Sequence, residues 1–307
     1  MVRHYITFQD LALPEYQTIF QRASQLKKAR QEGQFSQPHL AGRSVGMIFN
    51  KNSTRTRVSF ETAINELGGH PVVLSSADSQ ISRGELPSHT ARVLSRYLSA
   101  LVIRTYEESE LTELAERSTI PIINGLTNQQ HPCQVLADIF TLLESLGDEP
   151  LENQWIAWVG DGHNMANSWV EAAGVLGFGL RLAIPPGYGP DPTILATARA
   201  KNPKIKLFAS PSEAVEGARA VNTDVFASMG QEKEQEKRLR DFAGYQVNRE
   251  LMALANPKAI FLHCLPAHVG QEVTEEVLES PASWVFEEAE NRLHVQKALL
   301  EFLVPRL

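Results

Sequence analysis

VGMIFNKNSTRTRVSFETAINEL, residues 45–67, predicts a strand, a polar loop and a helix in direct succession. Val45 to Phe49 is an apolar run of strand length, and Val58 to Leu67 has helical spacing. The pentad Ser53-Thr54-Arg55-Thr56-Arg57 stands between them. The first turn of a helix leaves backbone N–H groups unpaired and favours negative charge. Hydroxyl groups and guanidinium groups at that place predict a site for phosphate or a phosphorylated small molecule.

The same alternation of strand-like and helical stretches continues along the chain. Further strand candidates are Val72 to Leu74, Ala100 to Arg104, Pro121 to Asn124, Trp155 to Val159, Leu180 to Ile184, Ala220 to Val225 and Ala259 to His263. Such alternation predicts parallel sheets with helices on both faces. We therefore expect an α/β fold of two doubly wound domains, each with a parallel sheet flanked by helices. Ligands bind beyond the carboxyl ends of such strands, so we expect the active site in the cleft between the domains.

A helix stop suggests where the two domains meet. The helix that follows Pro132 ends at Gly147-Asp148-Glu149-Pro150, which is typical of a helix end and a junction. We expect one domain over residues 1–147, completed by a C-terminal helix over 286–307, and a second over 148–285. The charged run from Gln231 to Arg240 has helical i, i+4 pairs, and we expect it to form a solvated face without chemistry.

Composition narrows the class of protein. The 307 residues are 43% hydrophobic and 21% charged, as in a soluble globular protein with room for two cores. The 29 basic and 36 acidic side chains give a net charge of −7, which argues against nucleic acid as a partner. The chain shows no signal core and no apolar run near the roughly 20 residues of a membrane helix. Cys133 and Cys264 form no CxxC pair. We expect a cytoplasmic protein with no nucleic-acid or membrane partner.

In the first half, polar residues stand at strand ends and helix starts. Arg104 closes the strand Ala100 to Arg104, which aims its guanidinium at the predicted crevice. His131 precedes Pro132 at the start of a helix, with Gln134 one turn further in. Each residue alone is more often a surface residue or a helix cap. Together with the pentad they indicate a site for an anion.

In the second half, Asp161-Gly162-His163-Asn164 follows a strand and opens a helix. A dinucleotide reading fails because Met165 occupies the place of the third glycine. Asp161 and Asn164 are instead expected to present side-chain oxygens to a zwitterionic ligand. Asp224, which closes another strand, suits a cationic ammonium group, although an Asx turn is the slightly more common reason for an aspartate in that place.

Cys264, within His263-Cys264-Leu265-Pro266, follows the last predicted strand. The sequence allows it to be a thiolate, a polar gate or a packing residue. The histidines His131, His263 and His268 and the two cysteines lack the spacing of a metal site. We therefore expect no metal and no cofactor.

Five motifs in this order resemble the aspartate/ornithine carbamoyltransferase family, and the resemblance covers essentially the whole chain. The motifs are STRTR at 53–57, HPxQ at 131–134, DGxN at 161–164, Asp224 with Ser228-Met229-Gly230, and HCLP at 263–266. The first two are shared across the family, and the last three resemble its ornithine branch.

The resemblance implies a transferase that passes the carbamoyl group of carbamoyl phosphate to the δ-amine of L-ornithine, giving L-citrulline and phosphate in arginine metabolism. The implied carbamoyl phosphate contacts are Ser53, Thr54, Arg55, Thr56, Gln80, Arg104, His131, Gln134, Cys264, Leu265 and Arg292. Those with a catalytic role are Arg55, Arg104, His131 and Cys264. The implied L-ornithine contacts of the second domain are Asn164, Asp224, Ser228 and Met229. Gln80 would reach a neighbouring subunit, because the implied assembly is a homotrimer, or several trimers, with interface sites.

Other acceptors stay open on the sequence alone, among them aspartate, putrescine and acetylated ornithine, as does a non-catalytic ligand-binding relative. An aspartate site needs cations where this chain has Asp224. Putrescine lacks an α-carboxylate, so a site for it would not need Asn164. Intact Arg55, Arg104 and His131 argue against a silent relative.

Overall fold

The computed structural model describes residues 2–51, 53–75, 84–227 and 234–306. Contacts divide the chain into two compact units, one of Met1–Leu136 with Glu290–Leu307 and one of Ala137–Ala289. Both divisions fall inside helices, namely Pro132–Leu146 and Val285–Leu303. The domain boundaries expected from the sequence lie instead at the C-terminal end of the first helix and at the N-terminal end of the second. They stay a prediction.

The first unit is built on one sheet of four parallel strands. The strands are β1 (Ser44–Phe49), β2 (His70–Ser75), β3 (Ala100–Arg104) and β4 (Ile122–Leu126), in the spatial order β2-β1-β3-β4. The helices are α1 (Leu13–Gln31), α2 (Thr54–Glu66), α3 (Pro87–Leu94), α4 (Glu108–Arg117) and the start of α5 (Pro132–Leu146), with a 3-10 turn at Phe8–Asp10. Buried residues of β3, including Leu101 and Ile103, pack with Leu111 and Leu114 of α4.

The second unit is built on a sheet of five parallel strands. These are β5 (Trp155–Val159), β6 (Gly179–Ala183), β7 (Ile205–Phe208), β8 (Ala220–Thr223) and β9 (Ile260–His263), in the spatial order β7-β6-β5-β8-β9. Its helices are α6 (Asn164–Leu176), α7 (Pro192–Lys201), α8 (Pro211–Val215), α9 (Gln235–Asp241), α10 (Arg249–Met252) and α11 (Glu275–Leu278), with a 3-10 turn at Leu151–Asn153. The C-terminal helix α12 spans Val285–Leu303.

Each sheet has one point where the strand order reverses, between β1 and β3 in the first and between β5 and β8 in the second. Loops at the carboxyl ends of the strands around such a point form a crevice that binds ligands. β1 leads into the pentad, and β3 ends at Arg104. β5 leads to Asp161, and β8 ends just before Asp224. The topology therefore places the main sequence motifs at two ligand-binding positions.

The predicted α/β fold of two parallel, helix-flanked sheets is confirmed, and each predicted strand is present. The sequence missed β7, in which Lys206 and Leu207 are exposed. A half-exposed edge strand lacks the continuous apolar run that marks a buried parallel strand. Within the described ranges, no helix combines the length and hydrophobicity that crossing a bilayer requires.

Candidate functional site

The pentad forms the cap and first turn of α2. Ser53 is the N-cap, and its Oγ accepts the backbone N–H of Thr56 at 3.3 Å. Thr56 and Phe60 lie on the buried side of the helix, whereas Arg55 is exposed. The same short sequence therefore caps the helix through the Ser53 hydroxyl and leaves the Arg55 side chain exposed.

Thr56 is the centre of a cluster of buried polar side chains in the first unit. Its Oγ1 accepts hydrogen bonds from Arg292 Nη2 at 2.9 Å and from Arg104 Nη1 at 3.5 Å. Arg292 Nη1 also donates to Gln134 Oε1. Arg104 is 8% exposed and Arg292 is 2% exposed. Two guanidiniums that share one acceptor in a buried place favour an anion beside them.

The two arginines of the pentad differ in their surroundings. Arg57 forms an ion pair with Glu61 across one helical turn, at 2.7 Å on the exposed face of α2. The charge of Arg55 instead acts on His131, together with Arg104 and Arg292. Of the pentad's two guanidiniums, only Arg55 thus belongs electrostatically to the buried cluster.

His131 lies directly before α5 and is 6% exposed. Burial, with the positive charges of Arg292, Arg104 and Arg55, holds the pKa of its imidazole well below the ordinary value. The ring is therefore neutral at pH 7. A neutral N–H group can donate a hydrogen bond to a carbonyl oxygen without adding a further cation to the cluster.

This lowered pKa predicts a pH dependence of stability. The unfolded chain takes up a proton at His131 below about pH 6.5, while the folded protein resists it, so folding stability falls as the pH drops below that value. We expect His131→Gln to flatten this decline by up to about 1.4 kcal/mol per pH unit. Urea unfolding of both proteins between pH 7 and pH 5 measures the difference. His4 and His294 are present in both proteins and contribute equally to both curves. Parallel curves would therefore contradict a lowered pKa at His131.

Lys51 is a cation of the first unit that sequence reasoning missed. It follows β1, is 9% exposed, and donates from Nζ to Asn128 Oδ1. Its Nζ lies 4.4 Å from the centroid of the Tyr106 ring. Burial and the charge of Arg104 lower the pKa of Lys51. A lysine beside the pentad is more often solvated, and no pattern in the sequence distinguishes it from the chain's other lysines.

In the second unit, Asp224 and Cys264 meet beyond the ends of β8 and β9. The Cys264 thiol donates to Asp224 Oδ1 at 3.3 Å, and the backbone N–H of Val225 donates to the same oxygen at 2.8 Å. Burial and the neighbouring carboxylates, Asp224 first among them, raise the pKa of Cys264 well above its ordinary value. Cys264 is therefore a thiol and a hydrogen-bond donor, which removes the thiolate reading.

Of the other predicted residues of the second unit, the structure describes Asn164 and Leu265. Asn164 is the first residue of α6, is 8% exposed, and its Oδ1 accepts the N–H of Met165 at 2.8 Å. Leu265 is half-buried, next to Cys264. Ser228 and Met229, like Gln80 of the predicted first domain, lie outside the described residues, so their predicted roles stay predictions.

Asp224, His263 and Cys264 also offer ligand atoms within 4.8 Å of one another, a spacing that suits a metal ion. Their present bonds do not favour metal binding. His263 Nδ1 accepts the N–H of Leu265 at 2.9 Å, and Nε2 lies 3.2 Å from Glu272 Oε1. A metal would have to displace one of these bonds and also remove the thiol proton of Cys264. The expectation of no metal stays a prediction.

The charged segment around α9 departs from the sequence prediction. Arg238 is 6% exposed, and its Nη1 donates to Asp161 Oδ2 at 2.7 Å and to the backbone oxygen of Phe226 at 2.9 Å. The expectation of a purely solvated face was therefore wrong at this residue. The Asp161 carboxylate, which was expected to face a zwitterionic ligand, instead forms an ion pair with Arg238. The pairing joins residues 77 apart in sequence, which local charge patterning does not reveal.

Arg238→Met is expected to destabilise the second unit by about 3–5 kcal/mol, because it leaves the Asp161 carboxylate buried without its cation. Arg249→Met is the matched control, since Arg249 and Glu276 form an exposed pair worth at most about 1 kcal/mol. Urea unfolding gives both values. Adding Asp161→Asn to Arg238→Met is expected to recover part of the loss. If the loss of stability in the double variant equals the sum of the losses in the two single variants, the pairing of Arg238 with Asp161 is contradicted.

Sequence comparison relates both units to known proteins. The family profile described as "Aspartate/ornithine carbamoyltransferase, carbamoyl-P binding domain" matches residues 3–144. The profile described as "Aspartate/ornithine carbamoyltransferase, Asp/Orn binding domain" matches residues 152–303. The ornithine carbamoyltransferase of Desulfotalea psychrophila is 52% identical over 302 residues, which are 98% of this chain and 99% of that protein.

Solved structures agree with this relationship. The ornithine carbamoyltransferase of Pyrococcus furiosus superposes with a TM-score of 0.94 at 43% identity, over 98% of this chain and 97% of that chain. The anabolic ornithine carbamoyltransferase of Campylobacter jejuni gives a TM-score of 0.91 at 41% identity, over 98% of each chain. The profiles cover both units, and the relatives span nearly the full length. The chain therefore belongs to the aspartate/ornithine carbamoyltransferase family.

Proposed function

We propose that this protein is an enzyme that transfers the carbamoyl group of carbamoyl phosphate to the δ-amine of L-ornithine, giving L-citrulline and phosphate. The observation that carries the proposal is the buried cluster of Arg104, Arg292, Thr56 and Gln134 beside a neutral His131. Fixed positive charge suits a phosphate group, and a neutral N–H donor suits the adjoining carbonyl oxygen. Family membership supports the same substrates.

On the donor side, carbamoyl phosphate binds with its phosphate at the capped start of α2, against Ser53, Thr54, Arg55 and Thr56. Attack on its carbonyl carbon places negative charge on the carbonyl oxygen. Arg55, Arg104 and His131 donate hydrogen bonds to this oxyanion as it forms, while Gln134 holds the carbamoyl nitrogen. When the C–O bond breaks, phosphate leaves with its charge balanced by Arg55 and Arg292. No covalent intermediate is needed, because phosphate is already a good leaving group.

On the acceptor side, L-ornithine reacts through an uncharged δ-amine. The carboxylate of Asp224 accepts a hydrogen bond from this amine and orients it. Since Cys264 holds its proton and donates to Asp224, it positions the carboxylate and does not take the amine proton. An oxygen of the departing phosphate accepts that proton. Asn164 holds the α-amino acid end of L-ornithine, with Ser228 and Met229 as further predicted contacts. Putrescine lacks the α-carboxylate of that end.

Transfer of labelled carbamoyl phosphate to a panel of amines tests the proposal. We expect L-ornithine to be carbamoylated to L-citrulline, and putrescine, L-aspartate and acetylated ornithine to react at least about 100-fold more slowly, because a missing or misplaced polar group leaves site groups unpaired. Equal rates with putrescine would overturn the choice of ornithine. Absence of transfer to every amine would favour the non-catalytic alternative. The similarity to the anabolic Campylobacter jejuni protein supports a place in arginine biosynthesis.

The proposal includes a homotrimer located in the cytoplasm. The first unit exposes large apolar side chains on α2 and on or beside α3, which a contact between subunits would cover: Val58, Leu86, Val93 and Tyr97. Both cysteines are free, as is usual in a reducing compartment. Sedimentation equilibrium is expected to give three times the chain mass of 34.1 kDa, or a multiple of that value. A particle of one chain mass would contradict the assembly.

A further inference from the structure

His263 opens the HCLP motif and has no role in the mechanism above. Its side chain is fully buried, as is that of Glu272, the carboxylate beside it. Fully buried histidines and carboxylates are uncommon unless their polar atoms are satisfied by specific partners. The partners of His263 all lie in the second unit, and they converge on the loop that follows β9.

Three hydrogen bonds fix His263 in one orientation. The backbone N–H of Leu265 donates to Nδ1 at 2.9 Å, and Nε2 lies 3.2 Å from Glu272 Oε1. Because Nδ1 accepts a hydrogen bond, the ring proton is on Nε2 and points to Glu272. The backbone N–H of His263 itself donates to Glu288 Oε2 at 2.9 Å. Both ring nitrogens and the main chain are thus satisfied at once.

The loop held in this way has an unusual backbone. Leu265 has φ of 56°, in the left-handed region that a residue with a branched side chain rarely adopts. Its N–H points back to the His263 ring two residues earlier. Glu272 also accepts the backbone N–H of His268, at 2.5 Å, so one carboxylate ties together the two ends of the loop 263–268. These bonds compensate the local strain.

We infer that His263 and Glu272 are positioning residues for the transfer reaction. Glu272 orients the His263 ring, and the ring holds the Leu265 N–H, so that Cys264 and Leu265 keep their places. The Cys264 thiol then lies 3.3 Å from Asp224 Oδ1. The inference rests on the proposed function, in which Asp224 orients the attacking amine and Cys264 positions the Asp224 carboxylate. Neither His263 nor Glu272 touches substrate in this scheme.

Two substitutions at one position separate the two ring contacts. His263→Asn keeps an oxygen near the place of Nδ1, which can accept from Leu265, but it does not reach Glu272. His263→Gln keeps a terminal N–H₂ directed at Glu272 but lacks the acceptor for Leu265. We expect His263→Gln to lower kcat about 10- to 100-fold, because small displacements of reacting groups have effects of that size. For His263→Asn we expect kcat to fall by no more than about fivefold. In both variants we expect KM for L-ornithine to change less than about threefold, because the substitutions disturb the positioning of reacting groups more than substrate binding.

His294 provides the matched control. Its side chain is also fully buried, and its Nε2 lies 3.2 Å from Glu290 Oε1, but it is on α12 in the first unit. His294→Asn and His294→Gln are expected to lower the temperature of unfolding without a difference between the two in kcat. A purely structural role of His263 would give the same result at position 263, namely equal kcat values for Asn and Gln at similar thermal stability. That result would overturn the inference.

A readout that does not depend on turnover separates this inference from the proposed function. Cys133 is buried, so alkylation by iodoacetamide reports mainly on Cys264. We expect alkylation of Cys264 to be at least about tenfold faster in His263→Gln than in His263→Asn, because the loop no longer holds the thiol against Asp224. Equal alkylation rates would overturn the positioning role even if the wild-type protein makes L-citrulline. A wild-type protein without transferase activity would overturn the function, while the alkylation rates would still decide the role of His263 in holding the loop.

Glu272 gives an independent test should a variant at position 263 fail to fold. Glu272→Gln keeps an oxygen that can accept from His263 and His268, whereas Glu272→Leu keeps only the volume. We expect Glu272→Gln to retain kcat within about fivefold and Glu272→Leu to lose about 10- to 100-fold, as with His263→Gln. Equal losses in the two variants would contradict the role of Glu272 as a hydrogen-bond acceptor.

Discussion

Arg55→Ala is expected to lower kcat by about 100- to 1000-fold, the usual effect of removing one donor to a developing oxyanion. Arg55 stands in the first turn of α2, and its charge acts on His131 together with Arg104 and Arg292. We therefore expect its guanidinium to contact both the phosphate and the carbonyl oxygen of carbamoyl phosphate. Steady-state assay of citrulline formation, with circular dichroism to verify folding, measures the effect.

Arg57→Ala is the control for this experiment. Arg57 is two residues away on the same helix, and it forms an exposed ion pair with Glu61 at 2.7 Å. Removal of such a pair changes stability by no more than about 1 kcal/mol, and we expect kcat within about threefold of the wild type. A folded Arg55→Ala protein with near-native turnover would remove Arg55 from the mechanism. Equal losses in both variants would point to the helix as a whole.

Asp224→Ala is expected to raise KM for L-ornithine about 10- to 100-fold, the equivalent of one hydrogen bond to a charged group of about 1.5–3 kcal/mol. KM for carbamoyl phosphate is expected to change less than about threefold. The asymmetry follows because Asp224 lies beyond β8 in the second unit, whereas the arginine cluster lies in the first. Varying each substrate at saturation of the other separates the two constants.

Asp191→Ala is the matched control in the same unit. Asp191 caps α7 by accepting the backbone N–H groups of Thr193 at 2.8 Å and Ile194 at 3.0 Å. Its loss is expected to cost about 1 kcal/mol of stability and to leave both KM values unchanged. If Asp224→Ala weakens both substrates to the same extent, Asp224 has a general structural role and does not select the amine.

The electrostatic arrangement links these predictions. Burial and the charges of Arg292, Arg104 and Arg55 together lower the pKa of His131, so the cations that we propose for phosphate binding also help to keep the neighbouring donor neutral. In the second unit the sign is reversed. Burial and the carboxylate of Asp224 raise the pKa of Cys264, which keeps a thiol donor beside a carboxylate acceptor. The cations of the first unit suit the anionic donor that we propose, and the carboxylate of the second unit suits an amino acid with an amine side chain.

Local patterns in the sequence determined the architecture of this protein and much of its chemistry. Apolar runs of strand length identified β1, β3, β5 and β9, because buried parallel strands need both faces apolar. The pentad and His131 were found because they flank such elements, at strand ends and helix starts, where ligands of α/β sheets bind. Those inferences use only residues close together in the chain.

Only the tertiary structure decided the contacts between distant residues. Arg292 reaches Thr56 across 236 positions, Arg238 reaches Asp161 across 77, and His263 reaches Glu272 through a loop with left-handed backbone at Leu265. The pKa directions of His131 and Cys264 depend on the same neighbours and on burial. Hydrogen bonds and charge interactions act through space over a few ångströms, whereas sequence periodicity reports only which face of an element is buried. For this reason the sequence could place Arg104, Asp224 and Cys264 at or just beyond strand ends, but it could not assign their partners or protonation states.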